Sequence, residues 1–154
     1  MCNFHELNRK SKIHIIDYKK SLHSEAVLKL FSAIYPDWTY AKLHKMDYDE
    51  NAFRHVCTKL LTVNDNVAGQ VNIFMLSEKN KIANLGYHVH PDYRKYGFAY
   101  QLCMSGIENC KKIGIEILMI QTQGTNTASV ALAKKLGFEM AQELVLKENE
   151  AYLT

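Results

Sequence analysis

Several patterns that would assign this chain at once are missing from it. The four cysteines, Cys2, Cys57, Cys103 and Cys110, form no C-x-x-C pair, which argues against a zinc ribbon or a dithiol redox motif. No block of like charges accompanies the net charge of +3, so a nucleic-acid surface has little support. No window approaches the ~18 apolar residues that a membrane span needs. The opening MCNFHELNRKSK has no apolar core of the signal-peptide type, and residues 1–12 are expected to form a loose leader. Neither G-x-x-x-x-G-K-[ST] nor G-x-G-x-x-G occurs, which counts against a nucleotide-phosphate binder. There is no internal repeat and no low-complexity segment. Proline is scarce, and each of the two, Pro36 and Pro91, marks the end of an element.

What is present is ordinary for a soluble globular protein: 154 residues, 47% hydrophobic and 23% charged. That length suits one domain with a full core, expected over 13–154. Cys103 and Cys110 fall on a helix face expected to be buried, where cysteine acts as a small hydrophobe. A reduced, cytoplasmic setting is the expectation.

Alternation and punctuation divide the chain. Ile13 to Tyr18 reads as a strand. Ser21 offers an N-cap to a helix whose stripe is Leu22, Ala26, Val27, Leu30, Phe31 and Ile34, stopped by Pro36. A shorter helix is expected over Trp38 to Met46, then an acidic loop, Asp47 to Asn51. Those acids could draw in an amine, although a solvated loop is the favoured reading. Three strands joined by short polar turns follow, Arg54–Val63, Val67–Leu76 and Lys81–His90, an antiparallel meander. After Pro91 a helix is expected from Gly97 to Ile113, with Ala99, Leu102, Cys103, Gly106, Cys110 and Ile113 on one face and Gly114 at its C′ position. Ile115–Gln121 is an apolar strand that returns parallel to 81–90 by the right-handed crossover rule. Gly124-Thr125-Asn126 opens a last helix with Val130, Leu132, Ala133 and Leu136 as apolar positions and Gly137 as its cap. Phe138 leads into a final strand or hairpin through Leu146. The fold class is α+β, a mixed and mostly antiparallel central sheet with one splayed parallel pair, flanked by helices.

The chemistry concentrates in Leu85 to Leu102. A strand, a loop and a helix N-terminus succeed one another there, and such a terminus exposes unpaired N–H groups. Arg94 and Lys95 stand beside the opening, and Gly97 has no side chain to hold a phosphate off the backbone. A phosphate pocket and an ordinary strand-to-helix turn both remain open on this stretch alone. His88 and His90, two apart on a strand, point to one side. They have a metal-ligand spacing but no evident third ligand, so no metal is expected. A surface histidine without a role is the other reading of each.

Two motifs, in the right order, carry a family resemblance. Val89-His90-Pro91-Asp92-Tyr93-Arg94-Lys95-Tyr96-Gly97-Phe98-Ala99 resembles the R/Q-x-x-G-x-G/A acetyl-CoA motif of the GNAT N-acetyltransferase superfamily. Asn126-Thr127-Ala128-Ser129 with Lys135-Leu136-Gly137-Phe138 is similar to its N-x-x-S/A…K-L-G-F segment. The resemblance covers about Ile13 to Leu146 and is nearest to the branch of ribosomal-protein alanine and small-molecule acetyltransferases. It implies acetyl-CoA as co-substrate and a primary amine, on a peptide N-terminus or a small molecule, as acceptor, with direct transfer in a ternary complex. A non-catalytic acyl-CoA-binding module is the alternative. No nucleic-acid or membrane partner is implied, and the chain would act as a monomer or homodimer.

By the same resemblance, backbone groups of Tyr87, His88 and Val89 would pair with the pantetheine arm. N–H groups from Lys95, Tyr96, Gly97, Phe98, Ala99 and Tyr100 would cradle the pyrophosphate beside Arg94, and Asn126 would reach the arm. Two departures stand out: Leu85 occupies the place of a common glutamate and Ala133 that of a common tyrosine. His88 is then the candidate to carry the amine's proton, and Ser129, sharing a helix face with Asn126 and Ala133, the candidate hydroxyl for the leaving sulfur. If Ser129 has no such role, it is expected to cap the first turn of its helix.

Overall fold

The computed structural model describes residues 7, 10–44 and 54–140. A five-stranded sheet runs in the order β1 (Ile13–Asp17), β2 (His55–Val63), β3 (Asn66–Ser77), β4 (Ile82–Val89) and β5 (Ile117–Met119). The first four strands are antiparallel neighbours, and β5 joins β4 in parallel. The strand period of two divides side chains between two cores. Val71 and Ile73 of β3 and Ala83, Leu85 and Val89 of β4 face α3 (Phe98–Lys112), packing with its Phe98, Leu102, Cys103 and Cys110. Leu60 faces the other way, against Val27, Leu30 and Phe31 of α1 (Lys20–Ile34) and Leu43 of α2 (Tyr40–His44). Leu132 of α4 (Thr127–Lys135) packs with Leu136 on the α3 side.

The α1 side of the sheet carries unusual polarity. Thr58 Oγ1 donates to Asn72 Oδ1 at 2.7 Å, and His55 Nε2 meets Thr58 Oγ1 at 2.9 Å. Beside them Gln70 is fully buried with neither amide atom partnered, and Asn84 Oδ1 and His88 Nδ1 are also unpaired. Such buried polar atoms cost free energy unless water or a ligand meets them.

Several boundaries differ from the sequence reading. Helix α1 starts at Lys20, not after Ser21, because the Lys19 N–H is held by His23 Nδ1 at 2.8 Å, a side chain reaching back from the first turn. Leu22 is consequently 71% exposed, off the buried stripe. Ile113 is also exposed, lying past the last turn of α3, while Phe98 takes the buried place expected further along. The expected strand over 115–121 is hydrogen-bonded as sheet only at Ile117–Met119. Residues 138–140 are not in a strand. The acidic loop, the end of the second helix at Met46 and the segment from Ala141 through Leu146 lie outside the described residues.

Helix α3 lies close on the sheet at Gly106, where an added Cβ would stand 3.0 Å from Ile73 Cδ1 and 3.3 Å from Val71 Cγ2. Gly106→Leu should therefore force α3 off the sheet and lower stability by about 1–3 kcal/mol, measured by chemical denaturation.

Candidate functional site

The parallel ladder between β4 and β5 has three register pairs, Ile82–Ile117, Ala83–Leu118 and Asn84–Met119. Beyond Asn84, β4 runs on with β3 alone to Val89. Five residues, Leu85 to Val89, thus present an edge of about 16 Å with no strand beside it among the described residues. Alternation decides which of their peptide groups face it. His90 N–H donates to the Ala68 carbonyl at 2.8 Å, on the β3 side, whereas the Lys81 carbonyl accepts from Ile117 N–H at 3.2 Å, on the β5 side. The peptide groups of Tyr87 and Val89 therefore face the open edge, and those of His88 are turned to Gln70 of β3. That parity departs from the expectation that all three would serve an arm laid along β4.

The free edge ends at a basic loop. Pro91–Tyr93 form one 3-10 turn, capped by His90, whose Nδ1 accepts from the Asp92 N–H at 3.1 Å. Arg94 Nε donates to the Val89 carbonyl at 3.3 Å, fixing a guanidinium at the end of the strand. Lys95 and Gly97 both have left-handed backbones, φ 68° and 78°. Alternation of left- and right-handed residues turns successive N–H groups into one concavity. Helix α3 then starts with no side-chain cap, and Gln101 N–H is the first to bond back, to Gly97. The N–H groups of Phe98, Ala99 and Tyr100 are left at the positive end of a 15-residue helix, a ready seat for a phosphate. Lys135, which the sequence placed in a motif but not at the phosphate seat, lies over the Tyr100 ring at 4.8 Å and adds positive charge to the same helix start.

Across the fork, Asn126 caps α4, its Oδ1 accepting from Ser129 N–H at 3.2 Å. The Ser129 hydroxyl is no cap; it is buried and accepts from Tyr87 Oη at 3.0 Å. Tyr87 is held above its ordinary pKa by burial, partly offset by that bond, and so is a protonated donor at neutral pH. This contact joins residues 42 apart, and no spacing in the sequence announces it. Leu85 is buried against α3, so the strand offers no carboxylate where the resemblance would place a glutamate.

His88 is not a surface histidine. Its ring meets Phe31 edge-on at 5.1 Å and Tyr35 at 6.1 Å, and Tyr35 stacks on Trp38 at 4.0 Å. Burial lowers its pKa from 6.5 to about 4, which leaves a neutral imidazole and a weak base. Among the described residues no three His, Cys, Asp or Glu side chains group as metal ligands, and no helix is long and apolar enough to cross a membrane.

The Acetyltransferase (GNAT) family model matches residues 25–138. The chain belongs to the GNAT acetyltransferase family. Membership carries the activity expected from the two motifs, acetyl-CoA-dependent transfer of an acetyl group to an amine. Among solved structures, the aminoglycoside N-acetyltransferase AAC(6')-Iy in complex with CoA is similar at 19% identity and TM-score 0.75, over 94% of this chain and 99% of that one. The ribosomal-protein-S18-alanine N-acetyltransferase from Escherichia coli is 22% identical, TM-score 0.68, over 85% and 80%. The aminoglycoside 6'-N-acetyltransferase AAC(6')-Ih from Acinetobacter baumannii is 19% identical, TM-score 0.70, over 92% and 100%. At these identities the likeness is one of fold. No curated protein sequence matches the chain significantly.

The neutral His88 has a consequence for stability. The unfolded chain binds its proton near ~6.5, the folded protein only near about 4. The unfolded state thus holds the extra proton between those values, and stability, complete above pH ~6.5, falls on acidification toward pH 4 by roughly 3 kcal/mol at most. Denaturation at pH 7.5 and 4.5 should show His88→Leu losing less stability on acidification than the wild type.

Proposed function

We propose that this acetyltransferase binds acetyl-CoA along the open edge of β4 and passes its acetyl group directly to a primary amine in a ternary complex. One observation carries the reading: the edge freed by the β4–β5 separation leads straight into an uncapped helix N-terminus behind two left-handed residues. The donor set fits an extended, phosphate-ended ligand. N–H groups from Lys95 to Tyr100 take the pyrophosphate, with Arg94 and Lys135 supplying charge. Tyr87 and Val89 offer backbone groups to the arm, and the Asn126 amide, whose oxygen caps α4, keeps its Nδ2 for the same arm.

The chemistry asked of the protein is modest. An amine with pKa near ~10 must lose a proton before it attacks the thioester. A histidine held at about 4 is a poor acceptor for it. In this reading the proton leaves to solvent, and His88 is a neutral wall of the acceptor side together with Phe31 and Tyr35. Ser129 lies on the α4 face turned to the cofactor and hydrogen-bonds the departing sulfur. A thiol is more acidic than an alcohol and leaves readily as thiolate, so that bond is worth less than a full proton transfer. The site is cytoplasmic in this reading. The acceptor is a small-molecule amine or a peptide N-terminus, the classes on which the similar enzymes act by name.

Acetyl-CoA at a hundredfold excess over Kd should stabilise the fold by about 2.7 kcal/mol, read as a thermal shift. Gly97→Asp places a carboxylate in the phosphate seat at a left-handed residue and should abolish that shift. An undiminished shift overturns the cofactor assignment. CoA release across a panel of peptides, polyamines and aminoglycosides should identify the acceptor, with the rate rising toward pH 8–9. His88→Gln should leave that pH profile in place, and a profile displaced by the substitution would restore the histidine as proton carrier.

A further inference from the structure

Tyr87 lies three residues beyond Asn84, the last residue of β4 paired to β5, so its side chain leaves the strand at the mouth of the fork. Its hydroxyl meets Ser129 Oγ at 3.0 Å. A phenol, with pKa near ~10, is a stronger acid than an aliphatic alcohol, so the tyrosine donates and the serine accepts. That leaves the proton of Ser129 itself, and no described residue accepts it. The serine backbone is equally constrained, its N–H tied to Asn126 Oδ1. The Ser129 hydroxyl is thus fixed at its oxygen from one side and free to donate on the other.

We propose that Tyr87 and Ser129 form a two-hydroxyl relay that holds the Ser129 proton toward the sulfur of the bound thioester. Ser129 is the catalytic residue, touching the sulfur, and Tyr87 is a positioning residue that sets the serine rotor. The inference rests on the reading of the β4–β5 fork as the acetyl-CoA site. In the transfer the N–C bond forms and the C–S bond breaks, with the bonding pair going to sulfur. The nitrogen's proton is lost to solvent, and the thiolate takes a proton from solvent as CoA departs. The relay gives up no proton in this sequence; it donates a hydrogen bond to the sulfur while negative charge accumulates there. Two bonded hydroxyls polarise each other, so the pair donates more strongly than Ser129 alone. The titratable neighbour facing Tyr87 is Cys103 of α3, whose thiol is pushed up to about 12 by burial and stays neutral.

The test uses Tyr87→Phe, which keeps the ring and its packing, Ser129→Ala, and the double variant. Two readings are made: the thiol titration of bound CoA by thiolate absorbance, needing no acceptor, and kcat with whichever amine releases CoA. In the wild type the bound thiol should titrate about one unit below that of free CoA titrated under the same conditions. Each single variant should return it to that value. Ser129→Ala should lower kcat about tenfold with KM for acetyl-CoA within about twofold. Tyr87→Phe should lower kcat several-fold, and the double variant no further than Ser129→Ala. A bound thiol with its ordinary pKa in the wild type overturns the relay while leaving the cofactor site intact. So does a Tyr87→Phe variant unchanged in both readings, or losses that multiply in the double variant. Wild-type protein that binds no CoA overturns relay and site together. A lowered thiol pKa, restored in the variants, with no amine accepted, supports the relay and defeats only the acceptor assignment.

Discussion

Two strands that begin in register and then part company are the constraint on which the rest of this molecule depends. Unpaired backbone groups inside a protein are costly, and the fold leaves a short row of them on β4 beyond Asn84. The row persists because β3 holds β4 firmly on its other side, along its whole length. Helix α3 fastens the same strand from one face through Leu85 and Val89, and α1 from the other through Phe31 and His88. A rigid strand with one unused edge is a preorganised receptor for an extended chain.

The loop after β4 continues the same logic. A non-glycine residue at φ 68°, Lys95, is an uncommon state, of order 1–3 kcal/mol above relaxed backbone. Arg94 anchors the loop to the strand through the Val89 carbonyl, and Phe98 anchors it to the core. Strain held between two fixed points keeps the amide groups of the helix start converging on one place. The unpartnered polar atoms of Gln70, Asn84 and His88 mark the other face of the same strands. Stability is given up on both sides of β4, and nowhere else among the described residues are buried side-chain nitrogen or oxygen atoms left without partners.

Much of this was legible in the residues. The meander from His55 to Val89 was visible because alternating apolar runs meet short polar turns, and the Arg94–Ala99 loop because a proline, two cations and a glycine follow a strand. The end of the parallel ladder was not. Ile115–Gln121 reads as one apolar strand, yet apolar character says a segment is buried, not that a partner lies within hydrogen-bonding distance. The start of α1 was misplaced because a histidine in its first turn, rather than Ser21, satisfies the chain there. His88 read as a proton carrier or a surface group because nothing in a strand of mixed residues says that α1 will close over it. The Tyr87–Ser129 contact depends on how α4 docks over β4, which no spacing along the chain encodes.

The interior thiols carry a consequence of another kind. Cys103 and Cys110 are pushed up by burial to about 12 and about 11, and Cys57, between α3 and the sheet, is also raised. Thiolate is the form that attacks disulfides and oxidants, so these three are almost inert at neutral pH. The enzyme's own product is a free thiol, and oxidised forms of such a product exchange with any accessible protein thiolate. Packing the cysteines as plain hydrophobes therefore shields the core from covalent capture by the molecule it handles on every turnover.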